Sequence, residues 1–309
     1  MATVEILLAA HNSSRFLDDA IRSIISQNYT DWRLLIRDDG STDNTLNIID
    51  RYVEMYPGKI VSIDSDRPAT ACENFSKLLE ISIAPYIMFA DHDDVWLPFK
   101  ISRSMELMQN AENESGANTP LLLFTDKKVV DADLREISPS YFKYQNLNPK
   151  YIALNRLLVQ NVGSGCTILL NRALCTVCGT IPSEAFMHDH WLMLIAAAMG
   201  KIIYLNEPTI MYRQHGNNSI GASGHGISHF YSNYLNGFDA ARSRLSEYVR
   251  QAKAFGEVYS SRLKPEDYEL INEFASLNEQ SWFARRKTLI KNGILKTGLI
   301  RNMAMMAIA

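Results

Sequence analysis

The first hundred residues alternate between two hydrophobic periods. Residues 4–10 (VEILLAA) form a short apolar run with the length of a buried strand. In residues 13–27, Phe16, Leu17, Ala20, Ile21, Ile24 and Ile25 recur at helical spacing, which predicts an amphipathic helix with Asn12 or Ser13 as its cap. Residues 33–37 predict a second strand. The polar cluster 38–44 breaks it, and a helix follows through Leu46, Ile49, Tyr52 and Val53. Residues 59–64 predict a third strand, 73–83 a third helix, and 86–90 a fourth strand that runs into Asp91-His92-Asp93-Asp94. Strands alternating with helices mean βαβ units and a mostly parallel sheet. Ligands of such sheets sit beyond the carboxyl ends of the strands. The turns at 38–44 and 91–94 are therefore expected to face one cleft.

The second half is mixed. Residues 121–130, 165–170 and 201–205 predict strands, with a further strand-like run at 209–212. Residues 151–160 and 186–199 predict helices, and Val95-Trp96-Leu97-Pro98 is expected to turn the chain into the helix after the acidic cluster. The stretch 216–226, rich in Gly, Asn and Ser and containing His225, predicts a boundary or a loop. From residue 227 onward the pattern is helical with no strand signal. This divides the chain into a region 1–225 and a helical region 226–309. The last stretch, 287–309, interleaves Lys287, Lys291, Lys296 and Arg301 with Leu289, Ile290, Ile294, Leu295, Leu299 and Ile300. A basic amphipathic helix can lie on an anionic membrane surface; packing on the first region or on a second subunit is the other reading. No internal repeat is present.

Composition changes the picture little. With 31 Lys+Arg against 34 Asp+Glu in 309 residues, the formal charge is −3, and 47% of residues are hydrophobic. Those proportions exclude a disordered chain, and the absence of a basic excess argues against a nucleic-acid partner. Cys72, Cys166, Cys175 and Cys178 are too few for a disulfide framework. Cys175 and Cys178 form a lone CxxC, read as a buried thiol pair rather than a zinc site. The N-terminal apolar run contains Glu5 and has no basic region before it, unlike an export signal. No stretch is long and apolar enough to predict a membrane span. A reducing, cytoplasmic setting is the expectation.

The candidate chemistry lies in the carboxylates. Asp91-His92-Asp93-Asp94 puts three of them into four residues. Like charges this close raise each other's pKa unless a cation intervenes, and Mg²⁺ or Mn²⁺ resolves such repulsion while keeping positions for phosphates. Capping of the next helix is the alternative. In Arg37-Asp38-Asp39-Gly40-Ser41-Thr42-Asp43, Gly40 permits a tight turn, and Asp43 or Ser41 can cap a helix. A carboxylate here can also accept a hydrogen bond from a base ring. Asp189 opens the predicted helix at 186–199, where capping or proton transfer would suit it.

Several segments in order, LLAAHNSSRFLDDAIRSIISQNYTDWRLLIRDDGSTDNT, FADHDDVWLP, LFTDKKVVDADL, LLVQNVGSGCTILLNRAL and MHDHWLMLIAAAMGKIIYLNEPTIMYRQHGNN, resemble a family 2 glycosyltransferase with the GT-A nucleotide-diphosphosugar fold. The second half resembles the bacterial rhamnosyltransferase-like branch that builds cell-surface polysaccharide. The resemblance implies an α/β GT-A domain with a C-terminal helical extension. It places Ala9, His11 and Asn12 against the nucleotide. Asp39 matches the carboxylate that bonds the pyrimidine, and Asp38, Gly40 and Ser41 shape its turn. Arg67 lies in the loop after the third strand, which here departs from the usual Asn-x-Gly pattern. Asp91-His92-Asp93 matches the DxD motif, with Asp93 as direct metal ligand, Asp91 in support, and His92 where a small or amide residue is common.

By the same resemblance Asp189 matches the catalytic base, and Arg213 or His215 in the return loop approaches the diphosphate or completes the metal shell. Gly165 and Cys166 match an acceptor-side motif, with Trp191 beside the base. The implied reaction is one inverting displacement, assisted by Mn²⁺ or Mg²⁺, from a dTDP- or UDP-linked sugar to a hydroxyl of a glycan or lipid-linked acceptor. Rhamnose from dTDP-rhamnose is favoured and a UDP-hexose is the alternative. A sugar-1-phosphate nucleotidyltransferase would want glycines and more basic residues after the first strand, where AAHNSSRF has no glycine. An inactive binding subunit would be expected to have lost Asp93 or Asp189.

Overall fold

A computed structural model describes residues 3–65, 69–215 and 234–309, with side chains from residue 239 onward in the last stretch. The predicted alternation is present: β1 (Val4–Ala10), α1 (Leu17–Ile25), β2 (Trp32–Asp38), α2 (Thr45–Met55), β3 (Ile60–Ile63), α3 (Ala71–Ile81) and β4 (Tyr86–Asp91). Then follow β5 (Val95–Trp96), α4 (Lys100–Ser115), β6 (Leu121–Val130), β7 (Glu136–Ser138), the one-turn helices α5 (Tyr141–Tyr144) and α6 (Leu154–Leu157), β8 (Leu169–Asn171), α7 (Arg172–Cys178), α8 (His188–Met199) and β9 (Lys201–Arg213). The strands form one sheet in the order β3-β2-β1-β4-β8-β6-β9-β5, with β7 on β6. The β3-β2-β1-β4 half is parallel, β8 runs antiparallel between β4 and β6, and β6 and β9 are parallel.

Side chains alternate across the sheet, and both faces are covered, as parallel strands require. Val4, Ile6 and Leu8 of β1 join Leu17, Ile21, Ile49 and Met105 in one core. Leu7 joins Leu35, Phe75, Phe89 and the apolar side chains of α8 in the other. Glu5 is the polar exception in β1. Its carboxylate accepts from Arg33 Nη2 at 2.6 Å, Ser82 Oγ at 2.6 Å and the Ile83 and Ala84 amides at 2.8 and 3.1 Å. Burial raises its pKa, and these donors outweigh burial and lower it overall. A buried carboxylate so supplied ties β1 to β2 and to the α3–β4 turn.

Local expectations differ from the structure in five places. Neither Asn12 nor Ser13 caps α1, which begins at Leu17 without a side-chain cap. Asn12 takes φ 45° and its side chain accepts from the Thr42 amide at 2.8 Å, while the Ser13 amide donates to Thr45 Oγ1 at 2.8 Å. Both residues serve the neighbouring loop. Of the helix predicted over 151–160 only the single turn α6 forms, and 165–170 opens with a 3₁₀ turn, Gly165–Thr167, before β8. The strand predicted at 201–205 continues to Arg213 and absorbs 209–212, because irregular pairing around Asp126 lets β9 follow β6 throughout. Finally, Val95 and Trp96 pair with Met211 and Ile210 of β9 before the chain turns into α4.

The C-terminal part is helical, as predicted: α9 (Tyr234–Tyr259), α10 (Pro265–Ala275), α11 (Trp282–Lys291) and α12 (Leu299–Ile308). Phe255, Ile271, Phe274, Leu289 and Met305 continue the core that contains Trp191. The basic stretch 287–309 is thus two helices rather than one, separated by Gly293 and Gly298, both at positive φ. Two of its cations turn inward. Burial pushes Lys296 down to about 8, and Arg301 donates to the carbonyls of Gln145 and Asn146. The predicted boundary at 216–226, with His225, lies outside the described residues. Cys175 and Cys178 are buried free thiols. No helix among the described residues is long and apolar enough to cross a membrane.

Candidate active site

The carboxyl ends of β1, β2 and β4 open onto a cavity of about 360 Å³, closed on the far side by β6, α5, α8 and the 3₁₀ turn. Asp39, Asp91, Asp93 and Asp189 all line it, together with Ala9, His11, Lys127, Tyr141 and Tyr212. The two acidic turns therefore share one cleft, as the topology predicts.

The turn at Asp38–Ser41 is built by its own side chains. The Asp38 carboxylate accepts from the Ser41 amide at 2.8 Å and its hydroxyl at 2.5 Å, and Ser41 Oγ accepts from the Asn12 amide at 2.8 Å. Gly40 adopts φ 73°, where a side chain would be strained. Asp38, Gly40, Ser41 and Asn12 thus shape the rim without lining the cavity. Asp39 and His11 line it: the Asp39 amide donates to Ala10 O at 2.8 Å, its Oδ1 accepts from the Ala69 amide at 2.6 Å, and His11 Nδ1 donates to Asp39 O at 3.0 Å. Asp43 accepts from the Thr45 and Ser14 amides, both at 3.0 Å, and so fixes the start of α2. Arg37 holds the side chain of Asn74, which lines the wall, at 2.8 Å. Arg67 lies outside the described residues.

The acidic turn after β4 is crowded. Burial, and then the Asp93 charge, push the Asp91 pKa up, and the same two causes raise Asp94 further. Asp94 Oδ1 accepts from the Arg213 amide at 3.1 Å, while Oδ2 is buried without a hydrogen-bond partner. One oxygen each of Asp91 and Asp94 and the Cys166 sulfur lie within 4.8 Å of one another. Burial holds the Cys166 thiol well above its usual pKa, so it stays protonated and is a poor ligand for a hard cation. His215 Nε2 lies 2.9 Å from Asp93 Oδ2. The orphaned Asp94 oxygen and the neighbouring Asp91 carboxylate are hard oxygen donors that suit Mn²⁺ or Mg²⁺, whereas the Asp93–His215 pair lies outside that cluster. His92 has a structural reason: its Nδ1 donates to Ala9 O at 3.2 Å and ties the ends of β4 and β1 together. Arg213 does not reach the cavity. Its guanidinium donates to Asp93 O at 2.9 Å, Ala132 O at 2.5 Å and Asp19 Oδ2 at 3.0 Å.

Asp189 stands in the first turn of α8. Its Oδ2 accepts from the Gly165 amide at 2.9 Å and its Oδ1 from the His190 amide at 2.6 Å. Burial pushes its pKa up to about 6 against these two bonds. Such a value suits a group that must take a proton near neutrality. His188, buried between Phe75 and Phe89, is pushed down to about 3 by burial and is neutral. His190 is bound to Leu157 O at 2.5 Å and plays no part in the cavity. Trp191 is a fully buried core residue packed edge-on to Phe255, and it does not line the cavity. Its place three residues into α8 turns it to the side covered by α9.

The profile of the family described as "Glycosyl transferase family 2" matches residues 5–164, just over half of the chain. The chain belongs to this family. Its sequence is similar to dTDP-rhamnosyl transferase RfbG of Shigella flexneri, 27% identical over 70% of this chain and 74% of the relative. It is also similar to the UDP-Glc:alpha-D-GlcNAc-diphosphoundecaprenol beta-1,3-glucosyltransferase WfgD of Escherichia coli, 25% identical over 55% of this chain and 61% of the relative. Among solved structures, Staphylococcus aureus TarS 1-349 in complex with UDP-GlcNAc superposes with a TM-score of 0.57, covering 94% of this chain and 89% of that one at 13% identity. The Pyrobaculum calidifontis mannosyltransferase PcManGT, in complex with GDP-Man and Mn²⁺, gives 0.53, covering 95% and 86% at 12% identity. The fold is therefore GT-A, with a helical extension.

The wall residues of this family 2 transferase to which the sequence reading gave no role include Lys127, Tyr141 and Tyr212. A lysine inside the apolar run LLLFTDKKVV was a signal for the first, since a buried strand rarely holds a cation without a reason. No local pattern marks the two tyrosines, which long-range pairing brings together.

Proposed function

We propose that the transferase moves a sugar, rhamnose from dTDP-rhamnose in the favoured reading, to a hydroxyl of a cell-surface glycan or lipid-linked acceptor, with inversion and with Mn²⁺ or Mg²⁺ as cofactor. The observation that carries this is the gathering of Asp39, Asp91, Asp93 and Asp189 around one cavity of about 360 Å³. Asp39 and His11 would receive the base, and Asp91, Asp93 and His215 would hold the metal with Asp94 behind them. A bound divalent ion would supply charge to the departing diphosphate. Asp189, buried and oriented by two amides, would take the proton of the attacking hydroxyl from the face opposite the leaving group. No covalent intermediate on the chain is required.

A UDP-hexose donor is the second reading, favoured by the likeness to the UDP-Glc-dependent relative. A thermal-shift screen of dTDP-rhamnose, UDP-glucose and UDP-GlcNAc, each with and without Mn²⁺, tests the whole. Metal-dependent stabilisation by one of them is expected. Stabilisation by none of them rejects the donor reading, and binding without turnover returns the inactive-subunit alternative.

The finer localisation is a peripheral contact with the cytoplasmic membrane face through α11 and α12, or a homodimer through the same helices. Trp282, Phe283, Ile290, Leu299, Ile300 and Met303 are exposed there, with Lys287 and Lys291 exposed beside them. Apolar side chains among cations are what an anionic interface attracts.

A further inference from the structure

Among the described residues, Lys127 is the lysine that lines the cavity wall, and it is not accounted for above. Its side chain is buried, at 3% exposure for the residue, and an ammonium out of water needs compensation. Nζ donates one hydrogen bond, to Ser164 Oγ at 3.1 Å. It also lies over the rings of Tyr212 at 3.7 Å and Tyr141 at 4.2 Å, contacts that favour a cation. Among the described residues no carboxylate oxygen comes within 4.0 Å of it. An ammonium has three donors, so the protein's oxygens take only one.

Its position is bracketed by the two ends of the chemistry. Ser164, which it touches, precedes Gly165, whose amide holds Asp189. Tyr212, which it faces, precedes Arg213, whose amide holds Asp94 and whose guanidinium holds the Asp93 carbonyl. The charges of Asp91 and of Asp189 both feel Lys127. In an in-line displacement the sugar lies between the groups that receive its diphosphate and the group that deprotonates its attacker. Lys127 stands beside that interval.

We propose that Lys127, backed by Tyr141 and Tyr212, is a contact for the sugar ring of the donor, its ammonium donating to hydroxyl oxygens of a hexose or deoxyhexose. The assignment rests on the nucleotide-sugar reading above and adds the residue that recognises the sugar rather than the nucleotide. A site built to hydrogen-bond a hydroxyl discriminates strongly against a ligand that lacks it.

The test is calorimetric binding with the full chain and Mn²⁺, comparing dTDP with dTDP-rhamnose and UDP with UDP-glucose. In the pair that the wild type binds, Lys127→Met is expected to raise the ratio of the sugar-nucleotide Kd to the nucleoside diphosphate Kd about tenfold. The Kd of the nucleoside diphosphate should change less than twofold, which also shows that the variant is folded. Lys127→Arg should keep part of the discrimination. Should Lys127→Met not fold, Lys127→Gln carries the same comparison. An unchanged ratio, or equal weakening of both ligands, overturns the assignment while leaving the donor reading intact. A wild type that binds none of the four ligands overturns the donor reading and this assignment with it.

Discussion

The jobs proposed for Asp189 and Asp93 are separable, and single substitutions test them apart. A general base works only when ionised. With a pKa of about 6, Asp189 is expected to give full transfer near pH 7.5 and a tenfold loss per unit below about pH 6, read as kcat against pH. Asp189→Asn should lose roughly 10²–10⁴ in kcat while the donor Kd, measured without acceptor, stays within about threefold. Normal turnover of that variant rejects the base. Asp93→Ala should remove the Mn²⁺-dependent part of the nucleotide thermal shift and leave the metal-free Tm near wild type. At this scale the sequence was most readable where chemistry needs neighbours in the chain, as in Asp91-His92-Asp93 and Asp38-Asp39-Gly40. It was least readable where a side chain's duty is set by a distant backbone atom. His92 had no sequence rationale until Ala9 O was seen across the sheet, and Arg213, legible as a charge, is occupied by Asp93, Ala132 and Asp19.

Elements are joined at two glycines whose neighbours leave no room. A Cβ on Gly165 would come 2.7 Å from His188 Nε2, and that ring is wedged between Phe75 and Phe89. Gly165→Ala is expected to cost about 1–3 kcal/mol and to lower kcat, because the displaced turn carries the Asp189 amide bond; thermal unfolding and steady-state rates check both. A Cβ on Gly200, where α8 gives way to β9, would lie 2.0 Å from the backbone oxygen of Pro120. Backbone cannot rotate aside as a side chain can, so Gly200→Ala should cost about 2 kcal/mol or more in denaturant unfolding. The βαβ half was legible because each strand and helix there has its own period. The strands of the β6–β9 ladder were legible at 121–130, 201–205 and 209–212, but the continuity of β9 through 206–208 was not, because Pro208 and the irregular register around Asp126 interrupt the alternation and only pairing with the distant β6 restores the strand.

For the whole molecule, the question is what the C-terminal helices meet. Phe283 and Leu299 are 78% and 75% exposed, too much for side chains that serve only the protein's own core. Full-length Trp282→Ser/Phe283→Ser and Leu299→Ser/Ile300→Ser variants should lose at least fivefold in co-sedimentation with phosphatidylglycerol vesicles. Wild-type binding should weaken at 0.5 M salt, as screening requires. If binding is indifferent to the substitutions, the membrane reading is wrong. A wild-type dimer in light scattering that both variants dissociate would assign the face to a second copy instead. The helical character of this region was plain from its periodicity, whereas its inward-turned Lys296 and Arg301 depend on carbonyls and packing that no spacing reveals. Arg213 carries a last consequence at this scale. One guanidinium clasps the carbonyls of Asp93 and Ala132 and the Asp19 carboxylate of α1, so these three segments share a single fastening. Loading the acidic turn with an ion and nucleotide is therefore expected to slow amide hydrogen exchange in the first turn of α1, on the outer layer of the molecule, where neither added component makes contact.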